Sequence, residues 1–366
     1  MTSLKNKIKE IEGGIFSAIS WAIGGILLTW FSILNSNLDN QIGSLKFGIL
    51  SAFVVDLFSL MWALILVPII KKEYRISNLF PFKNKNIWIL ILSSFIGAPL
   101  GTAMYYMAIL EISPTKASSI STLFPILSTM CVYLFFKQKT HWNTILGLII
   151  AVTAASSLGI IESINQSNNW KGYLFISISV IAWGMEAFLS SISLKNDIDP
   201  YISILIRSLT SVITFILILL PSFGTYNNQI IINYFNNSKK TLFLLFLSGL
   251  FVCISFMLYY RAIDKLSVSK ATGINITYAF WTMVIEPLTK ILDSSWTPHK
   301  WYIYILGFLI LFGAIFGLLD FKVKNKLEIG YKSKINIQIY LKNKNYSKKY
   351  RLKRCTTQNY KKLVKL

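Results

Sequence analysis

The sequence predicts an all-α membrane protein whose ten transmembrane helices form two inverted five-helix repeats. Three observations carry that prediction: apolar runs of spanning length, an internal duplication, and an uneven distribution of basic residues. Of 366 residues, 54% are hydrophobic and only 14% charged, whereas a soluble domain uses roughly 25% charged residues to build its surface. The apolar residues gather in ten runs, at about 14–34, 47–70, 87–110, 115–136, 142–161, 170–194, 201–221, 241–263, 271–292 and 301–320. A helix of about 20 apolar residues crosses roughly 30 Å of hydrocarbon. In lipid a spanning backbone must satisfy its own hydrogen bonds, and runs this long and continuous suit helices rather than barrel strands.

The duplication pairs Tyr105–Ile120 (YYMAILEISPTKASSI) with Tyr259–Ile274 (YYRAIDKLSVSKATGI), 154 residues later. Eight of the sixteen positions are identical, where chance gives about one. A shorter echo sets Ile19-Ser20-Trp21 against Ile181-Ala182-Trp183 at the openings of the two halves. With the N-terminus in the cytoplasm, the inner segments before the tail hold thirteen Lys/Arg and the outer loops seven. The stretch 321–366 adds fifteen more against a single acid, Glu328. The positive-inside rule then puts both termini in the cytoplasm, and a bacterial-type plasma membrane is the expected location. Five helices per half is odd, so the halves are inverted, with a binding site expected near the midplane between them. The expected organisation is an N-terminus at 1–13, a first repeat at 14–166, a second at 167–320 and a basic, disordered tail at 321–366.

Taken in order, the first run follows Lys5, Lys7 and Lys9 but exceeds the length of a signal-peptide core and lacks a small-x-small cleavage site, so it reads as an uncleaved helix. Ser113-Pro114 reads as a cap with proline at the first helical position, and Ser267 caps the copy. Trp88, Trp142, Trp170, Trp296 and Trp301 sit near run ends, where amphipathic rings anchor at the headgroups. Gly97-Ala98-Gly101 and the Gly313/Gly317 pair permit close helix contact. Pro287, after Glu286, is expected to kink the ninth helix. The cysteines (Cys131, Cys253, Cys355) and histidines (His141, His299) are scattered, with no disulfide or metal spacing. Neither a phosphate-binding loop nor a dinucleotide fingerprint occurs, so no cofactor is expected and an ion gradient is the expected energy source. The tail lacks an aromatic platform for nucleic acid, and lipid is its expected contact.

Several stretches resemble the drug/metabolite transporter superfamily, and specifically its ten-helix EamA-type carriers. They are Ser20-Trp21-Ala22-Ile23-Gly24 with Ala182-Trp183-Gly184, Ile206-Arg207, the Tyr-x-x-Ala-Ile before each duplicated loop, and Ala117 to Pro125. The resemblance spans about residues 13–320 and implies transport of a small metabolite or drug-like compound by alternating access. The chain departs from the family pattern at Lys137-Gln138-Lys139, where a Gly-Glu pair is common, at Lys46, where arginine is usual, and at Ala279, which stands where the first half has Pro125. The smallest relatives couple to protons through a glutamate in the first helix, and the run 14–34 holds no acid.

An ionisable side chain at mid-membrane costs about 2.5–3.5 kcal/mol on insertion scales and marks function. Glu186, in the sixth run and three residues after Trp183, is the first choice for coupling, with Trp21 as the corresponding ring of the first half. Asp56 lies centrally in the second run, Arg207 two turns into the seventh and Glu286 two-thirds along the ninth. Arg207 is expected to pair with Glu186 or Asp56. Asn275, Tyr278 and Trp281 step along one helical face and are candidates for the pocket wall. The function these features support is an ion-coupled secondary transporter with a proton as the candidate coupling ion, export as the expected direction and a monomer or homodimer as the assembly. The alternatives are an uncoupled facilitator and a non-transporting membrane enzyme or scaffold. An enzyme should gather acids, histidine or a nucleophile at a membrane face, whereas here the acids lie inside the spans.

Overall fold

The computed structural model describes residues 2–71, 84–112, 114–137, 140–163, 169–196, 198–291 and 300–319. Ser113, Trp296, His299, Cys355 and the basic tail lie outside them. No strand occurs among the described residues, which form ten helical passes within one compact unit. We label the passes α1 (Thr2–Leu34), α2 (Ser44–Ile70), α3 (Asn86–Ile112), α4 (Lys116–Phe136), α5 (Trp142–Ser163), α6 (Trp170–Lys195), α7 (Pro200–Ser222), α8 (Leu242–Lys265), α9 (268–291) and α10 (Trp301–Leu318). Eight are long and apolar enough to cross a membrane on length and composition; α5 offers a shorter apolar stretch, and α9 is broken into segments. Trp88, Trp142, Trp170 and Trp301 are exposed at pass ends, as anchors would be.

The helix α1 begins well before its apolar run, because Lys5 to Glu12 are good helix formers. It therefore carries Glu10 and Glu12, so the first helix is not free of acids. Short helices that the apolar pattern does not mark cap one end, at Ser36–Ile42 and Asn228–Ser238. The second buries Tyr234 between Phe31 and Phe47.

The packing repeats across the two halves. Helix α1 lies against α8 as α6 lies against α3, and α1 meets α9 as α6 meets α4. Helices α2 and α7 pack on each other, as do α5 and α10, so each of these pairs joins repeat mates. A two-fold exchange of halves produces this pattern, and with five passes in each half its axis lies in the membrane plane. Small polar residues hold the seams. Ser17 Oγ donates to the Ser255 carbonyl at 2.8 Å between α1 and α8, and its mate Ser179 Oγ donates to the Gly101 carbonyl at 2.9 Å between α6 and α3.

Three departures from regular helix shape the centre. In α3 the backbone widens to an i→i+5 pattern at Ile96–Gly101, around Pro99, which lacks an N–H. Gly97 lies in this widened turn, and a Cβ there would run into the Glu186 side chain. Helix α4 breaks between Ser121 and Phe124, just before Pro125. Helix α9 breaks at the corresponding place, between Asn275 and Tyr278, although Ala279 replaces the proline. A hydroxyl bonds back to the backbone at the break in both copies: Thr122 Oγ1 donates to the Ser119 carbonyl at 2.6 Å and Thr277 Oγ1 to the Ile274 carbonyl at 2.8 Å. Past Ile285, α9 tightens into a 3₁₀ turn at Glu286–Ile291, where Pro287 sits. Ser267 caps α9 by accepting from the Lys270 amide.

Candidate functional site

The axis between the halves passes through aromatic rings. Trp21 and Trp183, repeat mates from α1 and α6, meet edge to face with centroids 5.3 Å apart. Tyr105 lies 4.9 Å from Trp183, Phe256 5.6 Å from Trp21, and Phe124 6.2 Å from Trp183. Beside them is a cavity with room for about 30 Å³ of water-sized occupancy, opening into a larger space continuous with solvent, walled by Trp21, Phe124, Trp183, Phe256, Tyr259 and Tyr278, with Glu186, Ser255 and Asn275 as the remaining lining residues. Phe124 and Tyr278 are mates that open the second segments of the broken helices α4 and α9. The breaks thus turn equivalent rings toward one space, as half-helices do in inverted-repeat carriers.

Polar contacts fix the wall. Ser121 and Tyr278 share a hydrogen bond of 2.5 Å between hydroxyls. Asn275 Nδ2 donates to Ser17 Oγ at 3.2 Å. Two lining side chains carry buried polar atoms with no hydrogen-bond partner, Trp183 Nε1 and Tyr259 Oη.

Behind the rings lies a charged cluster. Glu186 Oε1 accepts from Arg207 Nε and from the Tyr260 hydroxyl, each at 2.8 Å. The guanidinium lies over the Phe256 ring, 3.4 Å from its centroid, so Arg207 is held between a carboxylate and an aromatic face. Its Nη1 and Nη2 make no hydrogen bond. One turn further along α7, Ser211 donates to Asp56 Oδ2, while Asp56 Oδ1 has no hydrogen-bond partner. Asp56, Glu186 and Arg207 are at most 2% exposed. Ionised, the two acids and one base leave the cluster with one negative charge in excess.

The structure brings together Trp21, Trp183, Glu186, Asn275 and Tyr278 at the cavity and sets Asp56 and Arg207 directly behind it. Arg207 pairs with Glu186, one of its two expected partners. Trp281 is not a lining residue, although it lies three residues after Tyr278 on the same segment of α9. Glu286 is buried in the 3₁₀ turn, also outside the lining. Sequence reasoning missed Phe124, Phe256, Tyr259, Tyr260 and Ser211. Tyr259 and Tyr260 carried a signal, since Tyr105-Tyr106 repeat them. Ser211 carried none, being one serine among many in an apolar helix.

Known proteins resemble this chain in sequence or in fold. Protein LicB of Haemophilus influenzae (strain ATCC 51907 / DSM 11121 / KW20 / Rd) is 26% identical over 290 residues, covering 76% of this chain and 91% of that protein. A solved crystal structure superposes with a TM-score of 0.50 over 82% of this chain and 96% of that one; at 14% identity the likeness concerns the fold alone. Residues 8–159 match the EamA-like transporter family, and residues 170–319 match it a second time. A double match over most of the chain, on ten passes exchanged by a two-fold axis, makes this protein a member of the EamA-like transporter family, a multi-pass membrane transporter of small molecules.

Proposed function

We propose that this transporter carries a small organic cation with a methylated ammonium head, by alternating access between the halves 14–166 and 167–320. The carrying observation is the cavity wall, six aromatic rings with the Glu186 carboxylate among them. Ring faces present negative potential, and each contact with a cation contributes about 0.5–1 kcal/mol when exposed and about 2 when desolvated. Several rings together can offset the loss of water around a weakly hydrated head. An anion would meet the same faces unfavourably.

The scarcity of acceptors refines the class. A primary ammonium brings three N–H donors that need partners. Here Glu186 Oε1 is already taken by Arg207 and Tyr260, and the remaining lining is mostly ring carbon. A quaternary head has no N–H to satisfy. The unpartnered Trp183 Nε1 and Tyr259 Oη favour a substrate whose side arm carries a hydrogen-bonding oxygen.

We place the protein in a bacterial-type plasma membrane with both termini cytoplasmic, on the strength of the Lys/Arg bias. Proton coupling fits the excess negative charge behind the cage. The test is counterflow in proteoliposomes loaded in turn with small quaternary cations, primary amines, zwitterions and anions, with imposed pH and sodium gradients. Quaternary cations should exchange fastest, and a pH gradient should drive their accumulation. Preferential exchange of anions would defeat the reading, and accumulation indifferent to both gradients would make the protein a facilitator.

A further inference from the structure

We propose that Asp56, and not Glu186, is the group that takes up and releases the coupling proton; this rests on the reading of the protein as a coupled transporter. Both acids are buried, on α2 and α6. Their partners differ. Glu186 is charge-balanced, because Arg207 Nε and the Tyr260 hydroxyl both donate to it. A proton arriving on Glu186 would strand a guanidinium in a dry interior, where an unpaired charge is costly.

Asp56 has no such commitment. Among the described residues no lysine, arginine or histidine forms an ion pair with it. Its one hydrogen bond comes from Ser211, a neutral hydroxyl that can rotate to accept instead of donate. Its other oxygen, Oδ1, is buried without a partner. The groups facing it from its neighbours are few. Helix α7 brings Ser211 and, one turn away, Arg207; Glu186 of α6 stands beyond that guanidinium. Helix α3 brings the Tyr106 phenol, and the nearby Tyr260 hydroxyl of α8 is committed to Glu186. With Arg207 and Glu186 cancelling each other, the single excess charge belongs to Asp56. Protonation there makes the centre neutral, and deprotonation restores one negative charge behind the aromatic wall. The proton comes from water reaching the site in one facing of the carrier, attaches to a carboxylate oxygen of Asp56, and returns to water in the other facing.

The experiment is infrared spectroscopy of the full chain in liposomes, titrated from acid to alkaline buffer, together with tetramethylammonium flux. Wild-type protein should show a carboxylic C=O stretching band that vanishes as pH rises. The band should be lost in Asp56→Asn and kept in Glu286→Gln, a change in a buried acid outside the cluster. In flux, Asp56→Asn should lose the tetramethylammonium accumulation that a pH gradient drives in the wild type. A titrating band that survives in Asp56→Asn, no titrating band in the wild type, or pH-driven accumulation in Asp56→Asn overturns the assignment. If Asp56→Asn does not fold, Ser211→Ala serves: loss of the hydroxyl should shift the midpoint of the same band, and an unchanged midpoint overturns the assignment. An Asp56 band in a protein that moves no tetramethylammonium would uphold the proton site and reject the cation reading, so the two ideas fail separately.

Discussion

Glu186 and Arg207 depend on each other, because neither is more than 2% exposed and each neutralises the other. Breaking a buried pair by removing one member costs about 3–5 kcal/mol, whereas replacing both with apolar residues is often neutral. Glu186→Ala should therefore lower stability in detergent by about 3–5 kcal/mol, and Glu186→Met with Arg207→Met should recover most of it while transport stays lost. Chemical unfolding of the purified variants checks both; a double variant as unstable as the single would mean that the pair is not what holds this region. The rings make a second prediction. Trp183→Leu removes a cage face, and a cation–π contact of about 0.5–2 kcal/mol corresponds to roughly 2–30-fold weaker binding of a quaternary cation. Tyr278→Phe keeps its ring and loses only the hydroxyl bonded to Ser121, so its affinity should stay near that of the wild type. Titration calorimetry separates the two variants. At this scale the sequence pointed to Trp183 and Glu186, because an acid in an apolar run stands out and a three-residue step keeps it beside the tryptophan. It could not point to Ser211 or to the commitment of Tyr260, since those contacts exist only once α2, α6, α7 and α8 are packed.

Among the helices, the α5–α10 seam is the tightest place for backbone. Thr144 Oγ1 donates to the Gly317 carbonyl at 2.9 Å. A Cβ at Gly313 would stand 2.6 Å from the Gly147 carbonyl oxygen and 2.7 Å from the Ala151 amide. Backbone cannot swing aside as a side chain can, so Gly313→Ala should cost about 1–3 kcal/mol, the usual range for overpacking. Gly25→Ala, where a Cβ meets nothing within 4 Å, should be neutral or slightly stabilising within its helix. Thermal unfolding of both variants tests the contrast, and equal melting points would contradict it. The bounds of the passes were legible because solvent dictates them: about 20 apolar residues are needed whatever the fold. The break in α9 was not, because Ala279 gives no proline signal; Thr277 Oγ1 bonds back to the Ile274 carbonyl there. Reading Asn275, Tyr278 and Trp281 as one face assumed an unbroken helix; Asn275 and Tyr278 line the pocket from either side of the break, and Trp281 does not.

For the molecule as a whole, two ion pairs join the halves at the end where α1 begins. Glu10 of α1 accepts from Arg261 of α8 at 2.6 Å, and Lys71, following α2, donates to Asp199, which caps α7, also at 2.6 Å. Arg261 also donates to Tyr201 of α7 at 3.3 Å, and the Lys71 ammonium lies 5.2 Å from that ring's centroid. The proposed alternating access would part these contacts once per cycle. With Cys131, Cys253 and Cys355 replaced by serine, a Glu10→Cys/Arg261→Cys pair bridged by a short bifunctional thiol reagent should lose transport while still binding substrate. Undiminished transport in the bridged protein would mean that the halves do not separate there. The two-fold relation itself was legible from the duplicated Tyr105–Ile120 stretch and an odd helix count. The aromatic centre was only half legible, because rings from α1, α4, α6, α8 and α9 converge across the whole chain length. The proposed preference of the aromatic cavity for a charged methylated head is tested most directly by titration calorimetry of the wild-type protein with two compounds that share one hydroxylated side arm and differ only in a trimethylammonium or a tert-butyl head. The heads match in size and shape, so only charge distinguishes them: the expected result is at least tenfold tighter binding of the cation, and equal affinity would contradict the central claim.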